Sequence, residues 1–447
     1  MIVSPAFAGK RYAVLGLARS GMAAVETLLA SGAEVTAWDS REEPREVLEG
    51  RVTLADPVNA DLSGFEGVVV SPGVPLNRHP ISEAAAKYGV PVIGDIELFA
   101  RARADLPANR VVGITGTNGK STTTALVQHL LRSAAIPVRI GGNIGIPILS
   151  QDPLPAGGVY VLELSSYQID LTYGLDCDVA ALLNITPDHL DRYDGFEGYC
   201  ASKARLFEMQ SDKHLAVFGK GDAETAAVAA RERARSEGRK VAEVDGAQIA
   251  ALQAVWPSLQ GPHNLQNAAA AVAIVDALGV SPQQWQAAMP KFRGLPHRME
   301  RVAEANGVLF INDSKATNPA STAPALAAFP PDPEPRIHWI VGGLPKGEDL
   351  GECEPHFGNL AAAYTIGDAG PAFAQILEPY TTVHRSEMMA AAIGQAMESA
   401  KPGDVILLSP ACASFDQFRD FEARGDAFRS IVEALTEEPK VANGGGS

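Results

Sequence analysis

The stretch that most constrains the fold of this chain is residues 114–122, Ile-Thr-Gly-Thr-Asn-Gly-Lys-Ser-Thr. It follows a short apolar run, residues 110–114, that is typical of a buried strand, and it precedes residues 123–132, whose leucines recur at helical spacing. In a strand–loop–helix unit of this kind, backbone N–H groups at the helix N-terminus point at phosphate oxygens. Lys120 would reach the terminal phosphates of a nucleotide, and the hydroxyl of Ser121 or Thr122 would ligate Mg²⁺.

The loop matches the general P-loop pattern incompletely. That pattern has a glycine five residues before the glycine of Gly-Lys, where this chain has Ile114, and the nearer glycine is Gly116. The alternative is a glycine-rich turn with a structural role and an exposed lysine. The strand and the helix on either side favour phosphate binding.

Composition narrows the class of protein. The length of 447 residues predicts two to four domains, and the net charge of −16 argues against nucleic acid as the main partner, because a phosphate backbone needs a basic face. The cysteines are far apart and form no CxxC pair, which indicates a reducing compartment. No apolar run is long enough to span a membrane. We therefore expect a cytoplasmic protein without membrane insertion, and a disordered tail at residues 441–447.

Residues 11–39 have a strand–helix–strand pattern, with strands at 12–16 and 34–38 and a helix at 20–30. The turn at residues 16–21 resembles the dinucleotide-binding fingerprint, with an acidic residue following the second strand. Ala18 takes the place of the middle glycine, so its methyl group hinders the approach of a pyrophosphate. Two interpretations are left open: a nucleotide diphosphate held by Arg19, Ser20, Asp39 and Arg41, or a turn that only packs.

Polar side chains follow strands of the sheet that carries the phosphate loop. Strands predicted at 138–140, 159–164, 179–185 and 215–218 alternate with helices, which indicates a mostly parallel sheet. Glu163, Asp188 and His189 are residue types that hold Mg²⁺ or Mn²⁺ near phosphates. Residues 141–145, Gly-Gly-Asn-Ile-Gly, form a loop suited to backbone contact with a ligand. The alternative is structural: Glu163 paired with a lysine, and His189 satisfied within its loop.

Two helices of this region carry further polar residues. Lys203 lies between Tyr199 and Phe207 on a helix predicted at 196–210, and this spacing alone predicts a surface lysine whose stem lies along aromatic rings. His263, Asn264 and Asn267 stand at the start of an alanine-rich helix that runs to residue 278. There they would cap backbone donors or, alternatively, contact an adenine or a ribose.

A third βα pattern has strands predicted at 308–312, 337–341, 363–366 and 405–408. Two loops follow strands directly: residues 312–318, Asn-Asp-Ser-Lys-Ala-Thr-Asn, and residues 409–417, Ser-Pro-Ala-Cys-Ala-Ser-Phe-Asp-Gln. Either could be an ordinary surface loop. Because both come at carboxyl strand ends, we predict a pocket for a carboxylate ligand.

In order and spacing, these motifs resemble those of the Mur ligases of bacterial cell-wall synthesis. The resemblance rests on residues 116–122, 141–145, 163–168, 188–189, 294–298, 312–318 and 409–414. The loop at 313–318 is the most discriminating, because sister ligases differ there. The resemblance implies an α/β fold of three domains: a Rossmann-like N-terminal domain at 1–97 for a UDP sugar, a P-loop-type central domain at 98–295 with a mostly parallel sheet for ATP, and a Rossmann-like C-terminal domain at 296–440 for an amino acid.

The same resemblance implies a reaction and its partners. ATP would phosphorylate the carboxylate of UDP-N-acetylmuramoyl-L-alanine, and the amine of D-glutamate would then attack the acyl phosphate, giving ADP and phosphate. A monomer with two Mg²⁺ ions and a carbamylated Lys203 is expected. Carbamylation converts a cation into an anion able to ligate the second ion, which reverses the surface interpretation of Lys203.

Site residues follow from the resemblance in four groups. The ATP site would comprise Gly116, Thr117, Asn118, Gly119, Lys120, Ser121, Thr122, His263, Asn264, Asn267, Arg298 and Asp313. The catalytic residues would be Lys120, Glu163, His189 and Lys203, and the metal ligands would be Ser121, Glu163, His189 and Lys203. The UDP-sugar site would comprise Arg19, Ser20, Asp39, Ser40, Arg41, Gly73, Asn143, Ser165 and His189. The D-glutamate site would comprise Lys315, Thr317, Lys346, Ser414 and Phe421.

Three competing classes make different demands on the chain. A folylpolyglutamate synthase-like ligase does not need a Rossmann-like domain before the phosphate loop. An NAD-dependent oxidoreductase with an accessory nucleotide-binding domain does not fit Ala18 or the phosphate loop. A nucleotide-binding regulatory switch does not need an amino-acid pocket at the carboxyl strand ends of the last domain.

Overall fold

The computed structural model describes residues 1–188, 192–345, 347 and 349–436. The chain divides into two compact units: Met1–Ala250 with Gln266–Met289, and Ala251–Leu265 with Pro290–Ser447. Among the described residues there are three β-sheets, of which the first unit holds two and the second holds one. Helices alternate with the strands of each of these three sheets, and the predicted three-domain α/β fold is confirmed.

The first sheet is parallel and has the order β3-β2-β1-β4-β5. Its strands are β1 (Arg11–Leu15), β2 (Glu34–Trp38), β3 (Thr53–Leu54), β4 (Phe65–Val70) and β5 (Val92–Ile93), and its helices are α1 (Arg19–Ala30), α2 (Glu43–Glu46), α3 (Ile81–Ala86) and α4 (Asp95–Ala102). The predicted boundary between residues 97 and 98 falls inside α4, and the domain boundaries stay predictions.

The second sheet is also parallel, with the order β11-β10-β9-β6-β8-β7. Its strands are β6 (Asn109–Thr115), β7 (Val138–Gly142), β8 (Gly158–Glu163), β9 (Val179–Leu182), β10 (Leu215–Gly219) and β11 (Lys240–Val244). Its helices are α5 (Lys120–Ser133), α6 (Ser166–Asp170), α7 (Gly195–Glu208), α8 (Ala223–Arg235), α9 (Pro262–Ala277) and α10 (Pro282–Ala288). At one edge of this sheet, β11 pairs parallel with β10.

The sheet of the second unit is mixed, in the order β12-β13-β17-β14-β15-β16. Its strands are β12 (Glu300–Ala305), β13 (Val308–Asn312), β14 (Ile337–Gly342), β15 (Leu360–Ile366), β16 (Thr382–Glu387) and β17 (Val405–Leu408), and its helices are α11 (Pro319–Ala327), α12 (Gly370–Leu377), α13 (Met389–Ser399) and α14 (Phe421–Thr436). The strand pattern predicted from sequence lacked β12 and β16, and β12 pairs antiparallel with β13.

Apolar side chains on both faces of each sheet form the cores. In the first unit one continuous cluster includes Tyr12, Phe99 and Tyr160. The rings of Phe99 and Tyr160 pack edge to face, with their centres 5.1 Å apart. In the second unit one cluster contains Trp339 and another contains Tyr364. Strands buried on both faces explain the continuous apolar runs in the sequence. Within the described part of the chain, no helix is long and apolar enough to cross a membrane.

Candidate functional site

The phosphate loop connects β6 to α5 and places Lys120 at the first residue of the helix. The helix therefore begins three residues before the predicted start at residue 123. The Lys120 ammonium donates to the backbone carbonyls of Gly116 at 2.9 Å and Thr117 at 2.8 Å. The Lys120 side chain therefore lies against the phosphate loop. In a nucleotide complex, a terminal phosphate would replace these carbonyls as the partner of the ammonium.

Gly119 is the residue of the loop that tolerates no side chain. Its φ is +84°, and a Cβ there would lie 2.1 Å from the amide oxygen of Asn267. Asn267 lies in the second turn of α9 and is buried, so the predicted capping role does not describe it. The side-chain amide of Asn267 instead packs against the turn that precedes Lys120.

We expect Gly119→Ala to weaken ADP binding at least about tenfold, because the left-handed backbone alone costs roughly 1–2 kcal/mol for a residue with a Cβ and the contact with Asn267 adds to it. Isothermal titration with ADP and Mg²⁺ measures the change. Gly238→Ala is the matched control, since a Cβ at Gly238 meets no atom within 4 Å. Unchanged ADP affinity in Gly119→Ala would contradict the importance of this turn.

Lys203 lies on α7 and is 2% exposed, so the surface position predicted from spacing is wrong. Its ammonium donates to the carbonyl of Gly116 at 2.9 Å, the same oxygen that Lys120 uses, and it lies 4.5 Å from the centre of the Tyr199 ring. Burial, and after it the charge of Lys120, lower the pKa of Lys203 well below its usual value. The site therefore favours the neutral amine.

Glu163 ends β8, opposite Ile114 of β6, and is 2% exposed. Its Oε1 accepts from the side-chain amide of Asn143 at 3.1 Å, and the Asn143 N–H donates to the backbone carbonyl of Glu163 at 2.8 Å. Among the residues that the structure describes, no hydrogen-bond partner lies beside its buried Oε2. A buried carboxylate oxygen without a donor is a strong reason to expect a cation beside it.

The residues around the loop fit a Mg²⁺ ion of mixed ligation. Among the residues described, no group of three His, Cys, Asp or Glu side chains is arranged to hold a metal. Two oxygen ligands lie in this region: Oε2 of Glu163 and the hydroxyl of Ser121. Oxygen is the ligand atom that Mg²⁺ prefers. His189, which was predicted as a ligand, lies outside the described residues.

At the end of β2, Asp39 organises the loop predicted to hold the UDP sugar. Its carboxylate accepts from the N–H of Leu17 at 2.7 Å and from the Arg41 guanidinium at 3.1 Å. Burial alone would raise the pKa of Asp39, but the hydrogen bonds from Arg41 and Leu17 lower it to about 2. Asp39 is thus an anion that ties the β1 and β2 loops together. Arg19, also of this group, donates to the carbonyl of Gly145 at 2.8 Å.

The remaining residues of that predicted group differ in how they are used. Ser40 and Gly73 are exposed, and Ser20 lies in the first turn of α1. Ser165 caps α6, because its hydroxyl accepts from the N–H of Gln168 at 3.2 Å within a capping box. The observed contact of Ser165 is therefore a helix cap, whereas Ser40 and Gly73 are accessible to solvent.

In the second unit, Asp313 follows β13 and is buried. Its carboxylate accepts from the Ser409 hydroxyl at 2.8 Å and from the N–H of Met299 at 3.1 Å. Burial raises the pKa of Asp313 to about 7, against these hydrogen bonds and the charge of Arg298. Asp313 thus joins the loops after β13 and β17, the two loops that the sequence predicted to form one pocket.

The other predicted residues of that pocket meet at the same strand ends. The Lys315 ammonium lies 4.3 Å from the centre of the Phe421 ring. Ser414 is buried in the loop after β17, and Thr317 is half-buried in the loop after β13. Lys346 lies outside the described residues.

Arg424 is a residue that the sequence reasoning missed. It is 1% exposed, and its guanidinium donates to the carbonyls of Ala413, Cys412 and Ser314 and to the Ser314 hydroxyl at 2.8–3.0 Å. It thus clamps the two pocket loops. No local sequence pattern indicates this role, because Ser314, in the first of the two loops, lies 110 residues from Arg424.

The strand ends of this pocket pack backbone against backbone. A Cβ at Gly343 would lie 2.4 Å from the carbonyl of Ala413, and one at Gly367 would lie 2.1 Å from the Asp416 carboxylate and 2.8 Å from the Cα of Gly343. The loops after β14, β15 and β17 therefore approach one another where no side chain intervenes.

A cavity of about 260 Å³ opens beside Asn264 in the second unit. Its walls include Pro257, Met299, Ile311 and Phe329. The Asn264 amide donates to the Gln260 carbonyl at 3.1 Å. His263, in the first turn of α9, is exposed. The lining also includes the polar side chains of Gln260, Ser258 and Arg301, and apolar walls with a few polar groups are suited to a flat heterocycle.

Together, the three α/β sheets and the phosphate loop with its buried carboxylate and buried lysine define a multidomain nucleotide-binding protein of the P-loop type. Residues 10–94 match the MurD-like N-terminal domain of Mur ligases, residues 114–275 the Mur ligase middle domain, and residues 297–412 the glutamate ligase domain of Mur ligases. The chain belongs to the Mur ligase family. Members of this family use ATP and Mg²⁺.

Curated relatives and solved structures agree with this assignment. Over 98% of both chains, the protein is 69% identical to the UDP-N-acetylmuramoylalanine–D-glutamate ligase of Novosphingobium aromaticivorans. It is 58% identical to the ligase of the same name from Sphingopyxis alaskensis, over 97% of this chain and 100% of that one. The fold resembles that of the MurF ligase from Thermotoga maritima in complex with ADP, with a TM-score of 0.59, 16% identity and 96% coverage of both chains.

Proposed function

We propose that this protein joins D-glutamate to UDP-N-acetylmuramoyl-L-alanine through an amide bond, with ATP converted to ADP and phosphate in peptidoglycan precursor synthesis. The supporting observation is the combination of the phosphate loop with buried Glu163 and Lys203 in a chain 69% identical to a ligase of that name. The N-terminal sheet argues against a folylpolyglutamate synthase-like ligase, which does not need it.

The chemistry requires that a carboxylate be activated. A carboxylate oxygen of the UDP substrate attacks the γ-phosphorus of ATP, ADP leaves, and an acyl phosphate forms. The amine of D-glutamate then attacks the acyl carbon, and phosphate leaves as the amine loses a proton. Both steps bring anions together, so the site needs fixed cations. Lys120, at the start of α5, would contact the transferring phosphoryl group.

Glu163, Ser121 and His189 are proposed to hold Mg²⁺ at the phosphates. When bound, this ion screens the charge of the oxygens between which the phosphoryl group moves. Glu163 contributes a carboxylate kept free of donors on one oxygen and fixed by Asn143 on the other. The rest of the phosphate site would be formed by the N–H groups of residues 116–122.

Lys203 is proposed to carry a carbamate. Its neutral amine would attack the carbon of CO₂, forming an N–C bond and releasing one proton. The low pKa of the buried amine supports this step, because only the unprotonated form is a nucleophile. The product is an anion beside the phosphate loop, suited to a second Mg²⁺ ion.

The remaining contacts are proposed by group, as the family resemblance implies. The further ATP contacts would be His263, Asn264, Asn267, Arg298 and Asp313. The UDP sugar would lie along Arg19, Ser20, Asp39, Ser40, Arg41, Gly73, Asn143, Ser165 and His189. D-Glutamate would lie along Lys315, Thr317, Lys346, Ser414 and Phe421. The monomeric state and the cytoplasmic location stay predictions.

A phosphate-release assay with UDP-N-acetylmuramoyl-L-alanine, ATP and Mg²⁺ tests the function. We expect turnover with D-glutamate to exceed that with L-glutamate, L-lysine or meso-diaminopimelate at least about a hundredfold, because a built carboxylate pocket leaves its polar groups unpaired with the wrong amino acid. Mass spectrometry of the product confirms the new amide. Equal rates with L-lysine, or none with D-glutamate, would refute the assignment.

A further inference from the structure

Asn184 lies at the point where the second sheet reverses its direction of winding. It follows β9, which is the direct neighbour of β6 in the sheet. From β6 the chain crosses towards β7 on one side, whereas from β9 it crosses to β10 on the other. Parallel sheets bind ligands in the crevice at such a point. Asn184 therefore stands beside the phosphate loop.

The side chain of Asn184 pairs with both backbone groups of one loop residue. The Asn118 N–H donates to Oδ1 of Asn184 at 2.8 Å, and the amide Nδ2 of Asn184 donates to the Asn118 carbonyl at 3.1 Å. A third bond runs from the Thr117 N–H to the backbone carbonyl of Asn184 at 2.9 Å. The side-chain amide of Asn184 thus pairs with Asn118 as the peptide group of a neighbouring strand would, at a position beyond the end of β9.

A hydroxyl extends this attachment by one residue. Oγ1 of Thr117 donates to the Thr186 carbonyl at 3.1 Å and accepts from the Thr186 N–H at 3.0 Å. Residues 117–118 are therefore joined to residues 184–186 by two reciprocal pairs of hydrogen bonds. We call these contacts, with Asn184 at their centre, the loop clamp.

The loop clamp acts on a segment that would otherwise be mobile. Gly116 and Gly119 flank residues 117–118, and both have positive φ values, +150° and +84°. Glycines lose more conformational freedom than other residues when a loop is ordered. A loop that is ordered before the ligand arrives does not lose that entropy on binding.

We propose that Asn184 is a positioning residue that holds the phosphate loop in its nucleotide-binding conformation through the backbone of Asn118. It touches no nucleotide itself. Removing the amide leaves the Asn118 N–H and carbonyl without these partners and frees the loop, so the affinity for the phosphates falls. The inference rests on the proposed function only in taking a nucleotide as the ligand of the loop.

Two variants separate the parts of the clamp. Asn184→Ala removes both side-chain bonds. Asn184→Asp keeps the shape and the acceptor for the Asn118 N–H, but it puts a carboxylate oxygen against the Asn118 carbonyl in place of a donor. Asn59→Ala is the matched control, because Asn59 lies in the first α/β domain and its amide reaches only Asp56, at 3.5 Å.

Isothermal titration with ADP and Mg²⁺ is the direct readout. We expect ADP to bind about tenfold more weakly to Asn184→Ala and at least as weakly to Asn184→Asp, with Asn59→Ala unchanged, since the loop then loses side-chain hydrogen bonds that order it. In the ligase assay, KM for ATP rises while KM for D-glutamate stays at its wild-type value. The thermal unfolding midpoint stays within about 2 °C of wild type.

Unchanged ADP affinity in both Asn184 variants would overturn the inference. An equal rise of every KM with a lowered unfolding midpoint would also overturn it, because it would show a role in folding alone. If Asn184→Ala cannot be purified folded, the isosteric Asn184→Asp decides by the same readout. Wild-type protein that binds no ADP would refute the proposed function instead of the clamp.

Discussion

Lys203→Ala is expected to lose ligase activity by about a thousandfold or more, a loss of the size expected when a group that stabilises transition-state charge is removed. The buried amine beside Gly116 supplies the nitrogen of the proposed carbamate, and alanine supplies no anion in its place. Because a small carboxylate can supply the anion that alanine lacks, added formate or acetate should restore part of the rate. Initial phosphate release with and without these acids is the measurement.

The controls for this experiment separate charge from packing. Lys213→Ala removes an exposed lysine and should keep full activity. Lys203→Met keeps most of the apolar stem, so it should fold like wild type yet be inactive and respond less to added acids. A Lys203→Ala enzyme with near-normal turnover would return Lys203 to a purely structural role.

Glu163→Gln should lower kcat by about a thousandfold and shift the Mg²⁺ dependence to higher concentrations. The substitution keeps the shape and the contact with Asn143, but it replaces the orphaned Oε2 by a neutral group. A carboxylate ligand stabilises a bound Mg²⁺ ion by several kcal/mol of charge interaction, and most of this stabilisation is lost when an amide replaces the carboxylate. Initial rates against Mg²⁺ concentration, and ADP titrations at fixed Mg²⁺, report the change.

An exposed glutamate on α7 provides the comparison. Glu208→Gln removes the same charge at the surface and should leave both kcat and the Mg²⁺ dependence unaltered. If Glu163→Gln behaved like Glu208→Gln, Oε2 would be an unpaired atom of the core and no part of a cation site.

The sequence was a good guide wherever one local pattern decided the structure. The apolar run before residue 114 is β6, and the loop and helix that follow it stand as predicted, because buried parallel strands leave a pattern that needs no partner to be recognised. The edge strands β12 and β16 were missed for the opposite reason. Both are partly exposed, and β16 carries His384, Arg385 and Glu387, residues that favour a loop in the absence of a neighbouring strand.

The candidate site was predictable only in part, since its side chains come together through tertiary packing. Spacing placed Lys203 on a helix but not in the interior, because the aromatic residues around it suit a surface stem as well as a buried amine. Asn184 binds the backbone of Asn118 and Arg424 binds the backbone of Ser314, both far away in sequence, and a hydrogen bond to a backbone group does not depend on the partner's residue type.

The backbone packing around Gly343 and Gly367 bears on attempts to give this scaffold a new amino-acid substrate. A Cβ at Gly343 would lie 2.4 Å from the Ala413 carbonyl, and one at Gly367 would lie 2.8 Å from the Cα of Gly343, so the backbone leaves no room even for alanine. Random libraries that include these two positions would mostly yield unfolded clones. A focused library at Lys315 and Thr317, in the loop after β13, and at Ser414, in the loop after β17, would leave Gly343 and Gly367 unchanged.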